Sequence, residues 1–282
     1  GKSHGSALGV DEVAKTKRVM GMDPDQDFFV SPEVLDHVRE VKSRGAELHA
    51  HWNESFDAWK AAHPDKVDLL DRLLAKELPA GLDAAMPTFD PQKAVATRKA
   101  SGEVINAVAA VMPEFWGGSA DLAESNLTTI EGGGSFLPAD SRAPGATPYG
   151  RILHFGIREH AMGAILNGIA LGGLTRPFGG TFLVFSDYMR GAVRLAALMQ
   201  APVTYVWTHD SIGLGEDGPT HQPVEHLTAL RAIPGLDVVR PADANETSAA
   251  WLAILKNRRP AALALTRQNV PTLDPARVAD VA

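Results

Sequence analysis

The spacing of apolar positions changes near residue 93. Upstream the recurrence is helical. Leu35, Val38, Val41, Leu48, Trp52, Phe56 and Trp59 return at roughly one helical turn, which predicts an amphipathic helix with Gly45 as the point open to a break. Ser31-Pro32-Glu33 is a good start for it, a capping hydroxyl followed by proline at the first helical position. Shorter helices are expected over residues 11–20, with Asp11 at the cap, and 67–74. Residues 21–29 read as turns, and residues 78–91, rich in Pro, Ala and Gly, read as a linker. Residues 1–93 are therefore expected to be a helical inter-domain linker rather than a compact domain.

From Ala94 onward, short apolar runs of strand length alternate with helical stripes. The runs are 152–155, 202–207, 236–239 and 261–265. The stripes follow Arg98 (Ile105, Val108, Ala109, Met112) and span 159–172, 186–200 and 244–256. Strands alternating with helices predict βαβ units, hence an α/β domain over 94–282 with a parallel sheet and helices on both faces. The Gly- and Pro-rich segment 131–149 is expected to be a long mobile loop.

One strand run ends in a loop dense with ionisable groups: His209-Asp210-Ser211-Ile212-Gly213-Leu214-Gly215-Glu216-Asp217-Gly218-Pro219-Thr220-His221-Gln222-Pro223. Chemistry in α/β proteins gathers at such strand ends. The glycines formally match a dinucleotide fingerprint. However, Glu216 and Asp217 would stand where a pyrophosphate must lie, and Pro219 and Pro223 interrupt the helix that would cradle it. His209 and His221 lack a third ligand at a familiar zinc spacing. No Gly-x-Ser-x-Gly elbow supports a serine nucleophile.

Composition narrows the classes. The 282 residues are 45% hydrophobic, enough for a sizeable core. A net charge of −7 argues against nucleic acid as a partner. Cysteine is absent, which excludes disulfides and thiol catalysis and is compatible with a reducing cytosol. No apolar run is long enough to span a membrane. Metal ligation by the chain itself is not expected.

Several residues are placed for chemistry. Glu159 falls between a strand and an apolar helix, where a carboxylate serves either as a helix-start acid or as a proton-exchanging group. Phe182 and Phe185 lie three apart and share a face if a helix has begun, an arrangement that is ordinarily core packing. Each Arg taken alone is ordinarily a surface cation, but Arg forks suit phosphates.

The strings His154-Phe155-Gly156-Ile157-Arg158-Glu159-His160-Ala161-Met162, Thr181-Phe182-Leu183-Val184-Phe185-Ser186-Asp187-Tyr188, residues 209–223 and Thr266-Arg267-Gln268-Asn269 resemble the transketolase family. The resemblance runs over nearly the whole chain, from Ser3-His4-Gly5 onward. It implies thiamine diphosphate as cofactor and transfer of a two-carbon ketol unit between sugar phosphates. By the same resemblance, Glu159 is the catalytic acid bonded to N1′ of the aminopyrimidine. Phe182, Phe185 and Tyr188 wall that ring, and Asp121, Leu122 and Ile157 lie against the cofactor. Arg98, Ser125, His209 and Arg267 contact the sugar phosphate, Asp217 reads a hydroxyl, and His221 and His4 handle hydroxyl protons. A homodimer in the cytoplasm, working in the pentose phosphate pathway, is implied as well.

Parts of the family pattern are absent. No Gly-Asp-Gly segment with a distant Asn is present to hold a diphosphate and its magnesium or calcium, and the family's C-terminal domain is missing. The chain is therefore expected to be a fragment supplying half of a cofactor site, with an exposed apolar patch around Phe182, Phe185 and Leu214 where a second copy completes it. Related thiamine-diphosphate enzymes such as dihydroxyacetone synthase share the architecture. A catalytically silent dimerising module is the alternative of another class.

Overall fold

The computed structural model describes residues 2–274. Gly1 of the opening turn and residues 275–282 of the expected α/β domain lie outside the described residues. The chain divides into two compact units, Gly1–Val67 and Asp68–Ala282.

The first unit is helical. A 3-10 turn, Lys2–His4, precedes α1 (Val10–Val19) and α2 (Pro32–Ala62). The Ser31 hydroxyl accepts the Val34 amide at the start of α2. Gly45 does not break this helix, which runs for 31 residues. One mid-helix glycine costs only about 1 kcal/mol, less than the run of good helix formers around it supplies. Helix α3 (Pro64–Ala75) follows.

The second unit contains α4 (Leu82–Ala85), β1 (Ala94–Val95), α5 (Thr97–Val111), β2 (Phe115–Ser119), α6 (Ala123–Asn126), β3 (Ser135–Phe136), β4 (Ala146–Thr147) and β5 (Ile152–His154). It continues with α7 (Glu159–Gly172), β6 (Arg176–Phe182), α8 (Arg190–Met199), β7 (Thr204–Thr208), α9 (His226–Arg231), β8 (Asp237–Val239), α10 (Ala244–Asn257), β9 (Ala261–Leu265) and β10 (Val270–Pro271). Eight strands form one sheet in the order β4-β3-β5-β2-β6-β7-β9-β8, and every pairing is parallel. This is the expected α/β class.

Strand alternation sorts the core into two layers. Tyr205 and Trp207 of β7 pack with Met162, Leu166 and Val193 of α7 and α8. Val206, between them, points the other way and packs with Val104, Val108 and Trp251 of α5 and α10. Glycine lets the central strands approach: a Cβ on Gly118 would stand 1.9 Å from the Leu153 carbonyl oxygen.

Three local expectations are corrected. Segment 131–149 is not a featureless loop, since Ser135–Phe136 and Ala146–Thr147 add two short strands to the sheet edge. The linker-like segment 78–91 contributes Leu82 and Phe89 to buried clusters, because two large apolar side chains outweigh its Pro and Gly content. The first part of the 186–200 helix is instead a 3-10 segment, Leu183–Met189.

Candidate active-site clefts

Because the central strands are parallel, β2, β6, β7 and β9 all finish at one edge, the usual place for ligands in an open α/β sheet. Asp121 and Leu122 follow β2, the aromatic string follows β6, His209 follows β7 and Arg267 follows β9. The start of α5 is tied to the end of β9: the Thr97 amide donates to Thr266 Oγ1 at 2.9 Å and the Thr266 amide to Thr97 Oγ1 at 2.7 Å. That tie brings Arg98 to the same edge as Arg267, across 169 residues of sequence.

Two of the clefts that open there gather the expected residues. The first, about 490 Å³, is lined by Arg98, Ser125, His209, Asp217 and Arg267, together with Glu124, Phe182 and His221. The second, about 520 Å³, is lined by Ala120, Asp121, Leu122, Ile157, Glu159, Phe185, Tyr188 and His221. His221 is common to both. Glu159, at the first position of α7, is 8% exposed. His4 ends the 3-10 turn of the first unit, where its side chain is exposed.

Three residues per turn eclipses side chains three apart. The 3-10 segment after β6 therefore stacks Phe185 on Tyr188, with centroids 5.9 Å apart, and Phe182, the extended last residue of β6 at its cap, stacks on Phe185 at 5.6 Å. His209 stacks on Phe182 at 3.7 Å, and His221 stands edge-on to Phe182 and Phe185. Phe182 and Leu214 are buried rather than exposed: Phe182 is covered by His209, and Leu214 turns inward from its 3-10 turn. The exposed apolar side chains nearby are Ile157, Tyr188, Ile212 and Val224.

His209 and Asp121 both have positive φ, 57° and 65°. Such backbone costs energy for a residue with a Cβ and tends to mark functional positions. A buried network holds His209. Thr208 Oγ1 donates to Asn126 Oδ1 at 2.7 Å, and the Asn126 amide donates to Ser119 Oγ at 3.0 Å. The one Thr208 hydroxyl proton is thereby used, so at its 2.8 Å contact with His209 Nδ1 the hydroxyl accepts. His209 thus carries its proton on Nδ1 and turns the Nε2 lone pair toward the cleft. Sequence reasoning missed Asn126 and Thr208. They are ordinary polar residues, and only the fold brings them together.

The first cleft sets two guanidiniums, Arg98 and Arg267, against two carboxylates, Glu124 and Asp217, and Arg267 also lies 3.8 Å from Glu216. Burial, then Arg98, push the His209 pKa down from 6.5 to about 4, against the opposing pull of Asp217. The 3.9 Å approach of Asp217 to Nε2 is accordingly not an ion pair. Burial, then repulsion from Arg267, lower the Arg98 pKa. Arg98 also donates to the Ser125 carbonyl at 2.6 Å. Two guanidiniums beside a neutral imidazole make a pocket suited to a phosphate.

His209 should therefore stay neutral, as the Nδ1–H tautomer, at every pH above 5 in ¹H–¹⁵N NMR. A bound phosphate should raise its pKa. An unshifted titration near 6.5 would refute this assignment. The unfolded chain takes this proton near pH 6.5 and the folded chain only near 4, so His209 contributes stability that is complete above pH 6.5 and lost as the pH falls toward 4.

Among the described residues, one group of acids and histidines lies close enough to share an ion: Asp187, Glu225 and His226. It lines neither cleft, and Asp187 is already paired with Arg190 and His226.

Residues 93–272 match the family model for the transketolase pyrimidine-binding domain, and residues 1–79 that for the transketolase thiamine diphosphate-binding domain. The chain is 61% identical over 280 residues to a transketolase of Mycobacterium tuberculosis and 54% identical over 272 residues to one of Geobacillus stearothermophilus. These matches cover 97% and 96% of the chain but 40% of each relative. A crystal structure of Pichia stipitis transketolase in complex with sedoheptulose-7-phosphate superposes with a TM-score of 0.88 at 46% identity, over 96% of this chain and 40% of that one. Since the matched pyrimidine-binding region alone takes up more than half of the sequence, the chain belongs to the transketolase family.

Proposed function

We propose that this chain supplies the pyrimidine-binding half of a thiamine diphosphate site in a transketolase that moves a two-carbon ketol unit between sugar phosphates. The observation that carries the reading is the pair of clefts sharing His221: one holds a buried carboxylate beside an aromatic stack, the other two guanidiniums. The second cleft fits an aminopyrimidine, since Phe185 and Tyr188 offer faces for the ring and Glu159 an acceptor for a protonated ring nitrogen. Bound there, the cofactor supplies the carbon nucleophile of ketol transfer.

Each residue then has a task. Glu159 holds the proton at N1′, and Phe185 and Tyr188 support the ring, with Asp121, Leu122 and Ile157 around it, while Phe182, which lines the other cleft, backs the ring wall through its stack on Phe185. Arg98, Ser125, His209 and Arg267 take the sugar phosphate. Asp217 accepts from a substrate hydroxyl, His221 moves hydroxyl protons, and the family resemblance gives His4 the same kind of task. The diphosphate and its magnesium or calcium ion are left to parts of the parent that this chain does not contain. The pyrimidine domain is best taken from residue 93 onward, in keeping with its family model, with residues before it as a connection. A homodimer would bring a second copy to complete each site, and a cytoplasmic place in the pentose phosphate pathway follows from the substrates. No helix among the described residues is long and apolar enough to cross a membrane.

The chain spans about two fifths of its relatives, so turnover is expected from the assembled parent and not from this chain alone. A structural relative is described as a split-gene transketolase in an inactive β4 tetramer, at 26% identity and a TM-score of 0.51. The test is ketol transfer from a ketose phosphate to an aldose phosphate, with thiamine diphosphate and magnesium, by the parent enzyme carrying this sequence. A parent that binds the cofactor and transfers no ketol unit would overturn the proposal.

A further inference from the structure

At the amino edge of the sheet, away from both clefts, the starts of β2, β6 and β7 meet the end of α10. A cavity of about 40 Å³ lies there, with Lys76, Glu77, Glu114, Thr175, Arg176 and Arg258 in its lining. One water needs about 10–15 Å³ of such space, so the cavity has room for a group of about three or four oxygens.

Its charges do not balance. Arg176 is 7% exposed, and its Nη2 donates to the Ile254 and Leu255 carbonyls at 3.2 and 3.1 Å. Those bonds cap the last turn of α10 but leave Nε buried without a partner. A guanidinium has five donors, and a buried charge calls for an opposite one. Among the described residues no carboxylate pairs with Arg176. Glu114, whose carbonyl accepts the Arg176 amide, has its carboxylate held in a two-pronged bond by Arg72 at 2.7 and 2.9 Å. Glu77 is exposed. Half-buried Arg258, in a left-handed cap at the end of α10, donates to the Lys76 carbonyl and repels Arg176. Burial, then that repulsion, lower the Arg176 pKa to about 10.

We propose that Arg176, Arg258 and Lys76 form a site for a tetrahedral oxyanion, either inorganic phosphate or the terminal phosphate of an ester. The Thr175 hydroxyl lines the same space and can donate as well. The anion would supply the missing negative charge and bind the end of α3, the end of α10 and the start of β6 to one another. Lying across the sheet from the clefts, this site does not depend on the proposed ketol transfer.

The test uses the 282-residue chain with Arg98→Gln and Arg267→Gln, which remove the cations of the phosphate-suited cleft. Thermal unfolding is followed while inorganic phosphate replaces chloride at constant ionic strength. A ligand that binds only the folded state stabilises it by mass action, and a saturable rise of about 5 °C is expected for a domain of this size. Adding Arg258→Gln should abolish most of that rise. If that variant does not fold, Lys76→Gln, on an exposed side chain, should still reduce it. A rise with phosphate alone assigns the free anion, and an equal rise with a hexose phosphate assigns esters too. No rise above the chloride control, or a rise that neither substitution reduces, overturns the proposal.

Discussion

Glu159→Ala, made in a parent transketolase carrying this sequence, should lower kcat by about 10²–10⁴ while the fold stays intact. Glu159 opens α7 and is buried in the second cleft, among Ile157, Phe185 and Tyr188. Its carboxylate makes no hydrogen bond or ion pair with any described side chain, so its removal leaves no local partner stranded, which is why the fold should survive. The same absence makes it available to a ligand, and under the proposed reading that ligand is the protonated N1′ of the cofactor. Glu159 is the buried carboxylate of the cleft, whereas its other acid, Asp121, is exposed, so without Glu159 no buried carboxylate remains there to hold that proton. The loss should fall on kcat, because the first cleft is untouched and substrate binding persists. Cofactor C2–H exchange, followed by proton NMR in D₂O, isolates the step. Equal exchange rates in wild type and variant would remove Glu159 from the mechanism. Glu159→Gln should fail almost as badly, since an amide keeps the shape but not the charge.

The other large effect should come from Arg98→Ala and Arg267→Ala together. Charged hydrogen bonds to phosphate contribute about 1.5–3 kcal/mol each, so the pair should raise KM for a sugar phosphate by about 10²–10⁴. The two single changes should add to less than the double change. Arg267 already disfavours the charge on Arg98, so removing one relieves repulsion on the other, and neighbours in one network do not act independently. His209 is expected to respond in concert, since Arg98 is the leading charge that holds it neutral. The control is a donor without a phosphate, whose KM should hardly change. An equal loss for both donors would mean that the arginines shape the cleft rather than bind the phosphate.

How far the sequence reaches can be judged residue by residue. The alternation of strand-length runs and helical stripes determined the α/β class, because the two periods are local and are dictated by burial on one or both faces. The motif strings picked out Glu159, the aromatic series and the scattered cations as a set. Local spacing did not give the geometry that relates them. Arg98 and Arg267 share a cleft only because Thr97 and Thr266 tie helix α5 to strand β9. Phe182 and Leu214, apolar and in a loop-rich context, were expected at the surface. Tertiary packing buries one under an imidazole and turns the other inward. The tautomer and neutrality of His209 depend on Asn126 and Thr208, which are 82 residues apart, and on how deep the cleft is. A sequence carries residue types and their period. Which groups face one another across the sheet edge, and which charges lose their water, is decided by the order in which the parallel strands assemble.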